Sequence, residues 1–434
     1  MARMTRRRMC GALFLGAIVS VTLLHGWWAL HTTQARRMEA WQQRLRRWCI
    51  DHLQMAAAAQ RMELCRDGVQ FEQLALYQAG RKQPAAHVHR LRLARDAENQ
   101  WTIEVDYPQL TSDMLAHGAV ALCRQMEQGQ IPWQGNVHIR VKHATLNGGS
   151  RKFSFVHAAC RFDANKTSPS LSIWCTPDGA PDDHTLEIQL TRDQNADFGL
   201  LKCTIDTRGR WFPVWLASAW LPHIAMMGND CEFQGVIRST IVSGGWQIES
   251  LTGSFRNVDL HRLVTEQFPH HMISGSAELR VENMRCVDGR LCECRGRLVV
   301  EKGVVSSSLL EAASRFLHWE LDKSQNLEDR VEFRAMDVSF TLQGSNLIIS
   351  GNGKDSVILW RGDAPLARDD GSVVPVVNLI RVLVPQSVHQ VPATRQTAAL
   401  ASILPVPDLV AEQSPNRPAP PAIRLGKLPD GVVP

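Results

Sequence analysis

The stretch Cys10–Leu30, CGALFLGAIVSVTLLHGWWAL, limits most strongly what this chain can become. Its 21 residues include no Asp, Glu, Lys or Arg. As a helix they span roughly 31 Å, about the thickness of a bilayer's hydrocarbon core. Arg3, Arg6, Arg7 and Arg8 precede it, and Trp27 and Trp28 lie near its far end, where aromatic rings favour the membrane interface. The stretch reads as a transmembrane helix over 10–30 behind a basic tail over 1–9. A cleaved signal peptide would share the basic start and the apolar Gly11–Leu24. No small-x-small cleavage site follows promptly, however: Leu24 and Gly26 are a poor pair, and Thr33 and Ala35 lie far downstream.

Arginine counts do not orient this helix, because four precede it and five follow it, at Arg36, Arg37, Arg44, Arg46 and Arg47. The concentration of the first four beside the amino terminus favours a cytoplasmic tail and an exported main domain. The remaining chain has ordinary globular composition, 44% hydrophobic and 21% charged over the whole sequence, enough for one large or two modest domains. A net charge of +5 with Arg clustered around the apolar stretch suits an anionic membrane surface, and no nucleic-acid partner is expected.

Residues 31–66 read as a juxtamembrane amphipathic helix. Met38, Trp41, Leu45, Trp48, His52, Met55, Ala59 and Met62 repeat with alternating spacings of three and four. Such a heptad stripe packs on the protein's own sheet, on a second copy through residues 38–62, or on a membrane.

From Gly68 the apolar period becomes two. Trp101, Ile103, Val105 and Tyr107 alternate with polar residues, as do Val137, Ile139 and Val141, then Leu186, Ile188 and Leu190. Turn signals at Asn147-Gly148-Gly149, Gly244-Gly245, Asp288-Gly289 and Gly344-Ser345-Asn346 join the runs. About 14 strands up to Trp360 predict a mainly β, antiparallel domain over 67–365 with a few short helices. Those helices are expected at Thr111–Gln128, Pro213–Trp220, Asp259–Phe268 and Ser308–Trp319. Residues 366–434 read as an apolar segment followed by a Pro-rich, extended or disordered tail, since Pro385–Pro434 holds ten prolines. The apolar Val373–Val384 is expected to dock on the sheet or the membrane.

Catalytic signatures are absent: no GxSxG, HExxH, P-loop or GxGxxG appears. No catalytic, cofactor-binding or metal residue is expected, and the chain does not read as an enzyme. Cys286, Cys292 and Cys294 form C-x5-C-x-C, which matches no common zinc spacing and reads as buried thiols. His87 and His89 share a strand face but have no third ligand nearby in sequence. His270-His271, Asp182-Asp183 and Asp369-Asp370 read as solvated charges in loops.

Two segments share a pattern. Gly235–Val264 runs strand, Gly-Gly turn, strand, Gly253, strand, short helix. Gly275–Leu317 runs strand, Asp-Gly turn, strand, Gly296, strand, helix, and Glu332–Ser350 is a partial third copy. In GVIRSTIVSGGWQIESLTGSFRNVDLHRLV and SGSAELRVENMRCVDGRLCECRGRLVVEKGVVSSSLLEAASRFL the chain resembles the AsmA-like, TamB-type superfamily of bacterial envelope proteins, which includes type II secretion N-like proteins. The resemblance implies an inner-membrane anchor, a periplasmic curved sheet of β-repeats with an apolar groove, and phospholipid handling or envelope assembly. The alternative it implies is a non-catalytic scaffold or accessory component with envelope protein partners. Leu279, Val281, Leu298 and Val300, each alternating with polar or charged neighbours, are the candidate groove residues.

Overall fold

In the computed structural model the described residues are 34–53, 55–78, 82–95, 100–111, 122–127, 136–148, 151–163, 168–179, 186–193, 200–217, 222–242, 245–322, 327–351, 355–384 and 394–405, with 114 and 118. Cys10–Leu30 lies outside them. Among the described residues no helix is long and apolar enough to cross a membrane. The chain is mainly β and forms two compact units, one built on residues up to Arg208, the other on 209–239 and 247–421.

The first unit opens with α1, Gln34–Leu53. Trp41, Leu45 and Cys49 recur every four residues and are buried, and α1 packs on β1 (Met55–Ala58) and β2 (Arg61–Leu64). The expected helix over 31–66 is therefore corrected. Met55 and Met62 lie on strands and are buried there, Met55 alternating with Ala57 in β1, because both segments pair with β3, Gly68–Gln78. The alanines at 56–59 are good helix formers, but pairing with β3 overrides that preference. The seam offered to a second copy is also used internally at Trp41 and Leu45.

Strand β3 pairs with β4 (Ala86–Arg95), and β4 with both β5 (Trp101–Asp106) and β6 (Gln109–Thr111). The expected all-antiparallel order fails next. Both β5 and β6 run parallel to β7, Val137–Gly148. A parallel neighbour needs a crossover, and between β6 and β7 the described residues include a helical turn at 122–127 that buries Leu122, Cys123 and Met126. From β7 the order is antiparallel through β8 (Arg151–Asp163), β9 (Ser170–Pro177), β10 (Leu186–Asp193) and β11 (Leu200–Asp206).

Five lines across this sheet, β3, β4, β5 continued by β6, β7 and β8, share one irregularity. Buried positions are Val69 and Phe71 but Leu74 and Leu76 in β3, and Ala86 and Val88 but Leu91 and Leu93 in β4. Along β5 and β6 they are Ile103 and Val105 but Leu110; in β7, Val137 and Ile139 but Ala144 and Leu146; in β8, Phe155 but Ala158, Cys160 and Phe162. Every strand thus shifts its buried set by one position at one transverse row. Gln73, Tyr107 and His157 on this row have φ of 52°, 51° and 53°, the left-handed region.

In the second unit, β12 (Phe212–Pro213) pairs with β13 (Glu232–Val242), which is followed by β14 (Gly245–Asp259). Across β13 and β14, Gly235 and Gly253 have φ of 151° and 155°, and a Cβ on Gly235 would lie 2.6 Å from the Gly253 Cα, so neither position admits a side chain. Asp259 Oδ1 accepts hydrogen bonds from the backbone N–H of His261 and Arg262 at 3.0 and 3.3 Å, capping a short π-helical turn at His261–Thr265. A small separate sheet joins β15 (Ile273–Ser274), β18 (Gly303–Ser306) and β20 (Arg330–Phe333).

The main sheet of this unit continues from β14 to β16 (Ser276–Val287), β17 (Arg290–Val300), β21 (Ala335–Gln343) and β22 (Asn346–Gly351), all antiparallel. The three hairpins of the sequence repeat therefore lie side by side. Helix α2, Ser307–Leu317, is capped by Ser306 and buries Leu310, Ala312, Ala313 and Leu317. Strand β19, Glu320–Leu321, pairs with β24, Ala364–Arg368, which also pairs with β23, Val357–Arg361.

The apolar segment Val373–Val384, expected to dock on the sheet or the membrane, lies on the sheet, and the extended or disordered reading of Pro385–Pro434 is corrected in its described part, 394–405. Strand β25, Val373–Pro375, pairs with β22, and α3, Val377–Leu383, packs on α2. Helix α4, Arg395–Ile403, begins with a reciprocal Thr394–Thr397 capping box and reaches β17. The prolines at 385, 392, 405 and 407 flank α4 rather than interrupt it.

Candidate apolar site on the second unit

The candidate groove residues lie on two neighbouring strands and one pattern of alternate positions. Leu279 on β16 and Leu298 on β17 are direct register partners. Leu279 also opposes Phe255 on β14, and Leu298 opposes Val338 on β21. The next row on the same face runs Gly253, Val281, Gly296, Phe340 and Ile349 across β14, β16, β17, β21 and β22. A third runs Val258, Ala277, Val300 and Met336.

Depth divides the four candidates. Val281 and Val300 belong to the core, with Val300 fully buried. Leu279 and Leu298 are half-buried, as are Phe340 and Ile349, while Phe255 and Val338 at the ends of the leucine row are buried. The partly open part of the face is thus the leucine pair with Phe340 and Ile349. The opposite set of positions is polar: Arg280 opposes Arg297, and the Arg297 guanidinium grips Asp337 with two of its nitrogens, Nε donating to Oδ1 at 2.7 Å and Nη2 to Oδ2. This arrangement offers apolar contact, with no nucleophile or titratable group on the leucine row.

The other chemistry-bearing residues are dispersed. Among the described residues no group of three His, Cys, Asp or Glu is placed to hold a metal ion. Cys294 is buried and Cys286 half-buried, and desolvation pushes both thiols up to about 11, against the thiolate that a metal ligand requires. His89 meets Gln73 across the strands, its Nδ1 lying 2.8 Å from the Gln73 amide nitrogen. Asp182-Asp183 lies outside the described residues.

Two loop readings are corrected. Asp369 is not a free surface charge: its Oδ2 accepts from the Gly351 N–H at 2.6 Å and its Oδ1 from the Gly371 N–H at 2.8 Å, while Asp370 Oδ1 accepts from the Ser372 N–H at 2.8 Å. His271 is buried, because Met272 and Ser306 exchange hydrogen bonds that pull its loop onto β18.

Sequence reasoning missed a cluster on the first unit. Tyr107, placed inward by the alternation of Trp101, Ile103 and Val105, is 55% exposed. Its ring stacks on His143 with centroids 5.2 Å apart and meets His89 edge-on at 6.3 Å. One position away, Asp106 is buried and paired with Arg90, with Lys142 at 3.8 Å. The available signal was the three-residue step between Val88 and Leu91, which a period of two cannot produce. No family model matches this chain, and neither a curated protein nor a solved structure is significantly similar to it.

Proposed function

We propose that the protein is a single-pass, inner-membrane-anchored envelope protein whose periplasmic β-domain offers an apolar sheet face to lipid acyl chains. The carrying observation is the partnered, half-buried pair Leu279–Leu298, set between buried Phe255 and Val338. Apolar side chains left partly open within an otherwise buried face favour an apolar ligand. The apolar stretch at Cys10–Leu30 and the AsmA-like pattern of the hairpins support the same reading.

Native mass spectrometry of the detergent-released full chain tests it. Co-purifying phospholipid is expected on the wild type and reduced in Leu279→Asp and Leu298→Asp, with cooperative unfolding retained. Absence of lipid from the wild type would overturn the reading. Alkaline phosphatase fused after Pro434 should be active, and an active cytoplasmic reporter there would overturn the topology.

A second reading, a scaffold in an inner-membrane assembly, draws on a different place. Ile348 on β22 and Val373 on β25 are register partners, and both side chains are exposed. Photocrosslinking at Val373 that captures a defined envelope protein, on a chain free of lipid, would favour the scaffold.

A further inference from the structure

His271 follows Pro269 and His270 in the loop before β15, yet only 3% of its surface is exposed. Its Nδ1 lies 3.1 Å from the Oγ of Ser308 in the first turn of α2. The Ser308 hydroxyl in turn donates to Ser306 Oγ at 3.0 Å. Ser306 Oγ also accepts from the Leu309 N–H at 3.3 Å, which caps α2, and from the Met272 N–H at 3.1 Å. The other ring nitrogen, Nε2, is buried without a hydrogen bond, and the backbone carbonyl of Val384, the residue that ends α3, bears on the ring. One imidazole therefore sits where the β15 loop, the start of α2 and the end of α3 meet.

This seat suits a neutral ring. A proton would place a full charge in a desolvated site beside the amino-terminal end of α2, where the helix dipole already presents positive partial charge. Burial is the largest cause holding the His271 pKa below the usual histidine range; the neighbouring His270 adds to it, and the Val384 carbonyl opposes it. The other charged or titratable groups on the surrounding elements are His261 and Arg262 on the π-helical turn and Glu266 after it, Glu311 and Arg315 on α2, Arg381 on α3, Asp329 before β20, and Arg330 and Glu332 on β20. None of them offsets the burial, and none acts on the ring as His270 does.

We propose that His271 is a proton-sensitive latch: neutral, it holds the β15 loop against the start of α2, and protonated it releases them. The sign follows from linkage. A histidine whose folded pKa lies below the ordinary 6.5 binds fewer protons folded than unfolded in the interval between the two values. Stability therefore falls as pH drops from the ordinary value, and the loss is complete below the folded value.

Hydrogen exchange on the full chain, corrected for intrinsic rates, tests the latch between about pH 7.5 and pH 5, the interval in which histidine titrates. In the wild type, protection over 307–317 should fall severalfold on acidification, the direction that a folded pKa below the ordinary one requires. The β21–β22 hairpin should stay protected. In His271→Gln the acid loss should vanish, and in His270→Gln it should persist. An acid response unchanged in His271→Gln, absent from the wild type, or abolished by His270→Gln would overturn the proposal. Should His271→Gln not fold, the wild-type His271 ring titration by NMR decides: a midpoint below that of exposed histidines supports the latch, and one at or above it ends the idea.

Discussion

Gly296 on β17 and Phe340 on β21 are register partners, and the phenylalanine ring occupies the space a side chain at 296 would need. A Cβ at 296 would lie 2.8 Å from Phe340 Cζ and 2.4 Å from the Arg280 backbone oxygen. The same relation joins Gly303 to its partner Phe333, where a Cβ would lie 2.5 Å from the ring. Phe233 likewise stands 3.0 Å or less from a Cβ on Gly235 or Gly253. A ring laid over a strand glycine restores the packing that the missing side chain forfeits.

Gly296→Ala is therefore expected to destabilise the second unit by about 1–3 kcal/mol, the usual cost of overpacking. The ring can turn aside, but the Arg280 carbonyl belongs to a paired strand and cannot. Urea unfolding should show partial recovery in Gly296→Ala/Phe340→Leu, which removes one of the two clashes. A single variant as stable as the wild type would show that β16 and β17 do not pair in this register.

Tyr107 makes a different case, because its backbone carries the strain. A non-glycine residue in the left-handed region costs roughly 1–2 kcal/mol, and a β-branched one more. Tyr107→Gly relieves that strain while losing the His143 stack, worth about 0.5–1.5 kcal/mol, so its stability should stay within about 1 kcal/mol of the wild type. Tyr107→Val loses the stack and deepens the strain, and should fall well below Tyr107→Gly in a urea melt. Equal midpoints for the two variants would contradict a φ of 51° at this position.

The crease that contains Tyr107 shows what was legible and what was not. The step from Val88 to Leu91, and from Ile139 to Ala144 past exposed Lys142 and His143, is visible in the sequence as a break in alternation. Its recurrence from β3 to β8 at one row is not visible, because that depends on register. Asp288-Gly289 was readable as a turn, since φ of 50° and 77° at those two residues is what a tight hairpin demands. The parallel join of β5 and β6 to β7 was not, because it depends on a crossover. At the candidate site, alternation identified the apolar set containing Leu298 and Val300. It could not tell half-buried Leu298 from fully buried Val300, since depth is set by what packs above the sheet.

The cysteines should divide by reactivity. Desolvation pushes the buried thiols of Cys49 and Cys231 up to about 12, and those of Cys123, Cys160 and Cys175 higher still. Thiolate is the reactive form, so these five should resist maleimide in the native state. Half-buried Cys65 and Cys292 should label first among the described cysteines. Mass spectrometry of timed labelling gives the order, and early modification of Cys160 or Cys175 would contradict the β8–β9 packing.

Acid stability of the first unit should carry the signature of Glu187. This carboxylate is 9% exposed and takes a hydrogen bond from the Arg208 guanidinium and one from Gln189 Nε2 at 2.6 Å. The Arg208 hydrogen bond is the largest cause holding its pKa below the ordinary 4.5, and it outweighs the burial that acts the other way. A depressed folded pKa means that the unfolded chain binds the proton more readily. The resulting stabilisation is fully present above about 4.5 and is lost as pH falls through the folded value. Glu187→Gln removes that titration. Its stability should be lower than the wild type's at neutral pH, and the two curves should converge in acid. Parallel curves for Glu187→Gln and the wild type below the ordinary glutamate range would show that Arg208, itself 55% exposed, is too well solvated to hold the carboxylate.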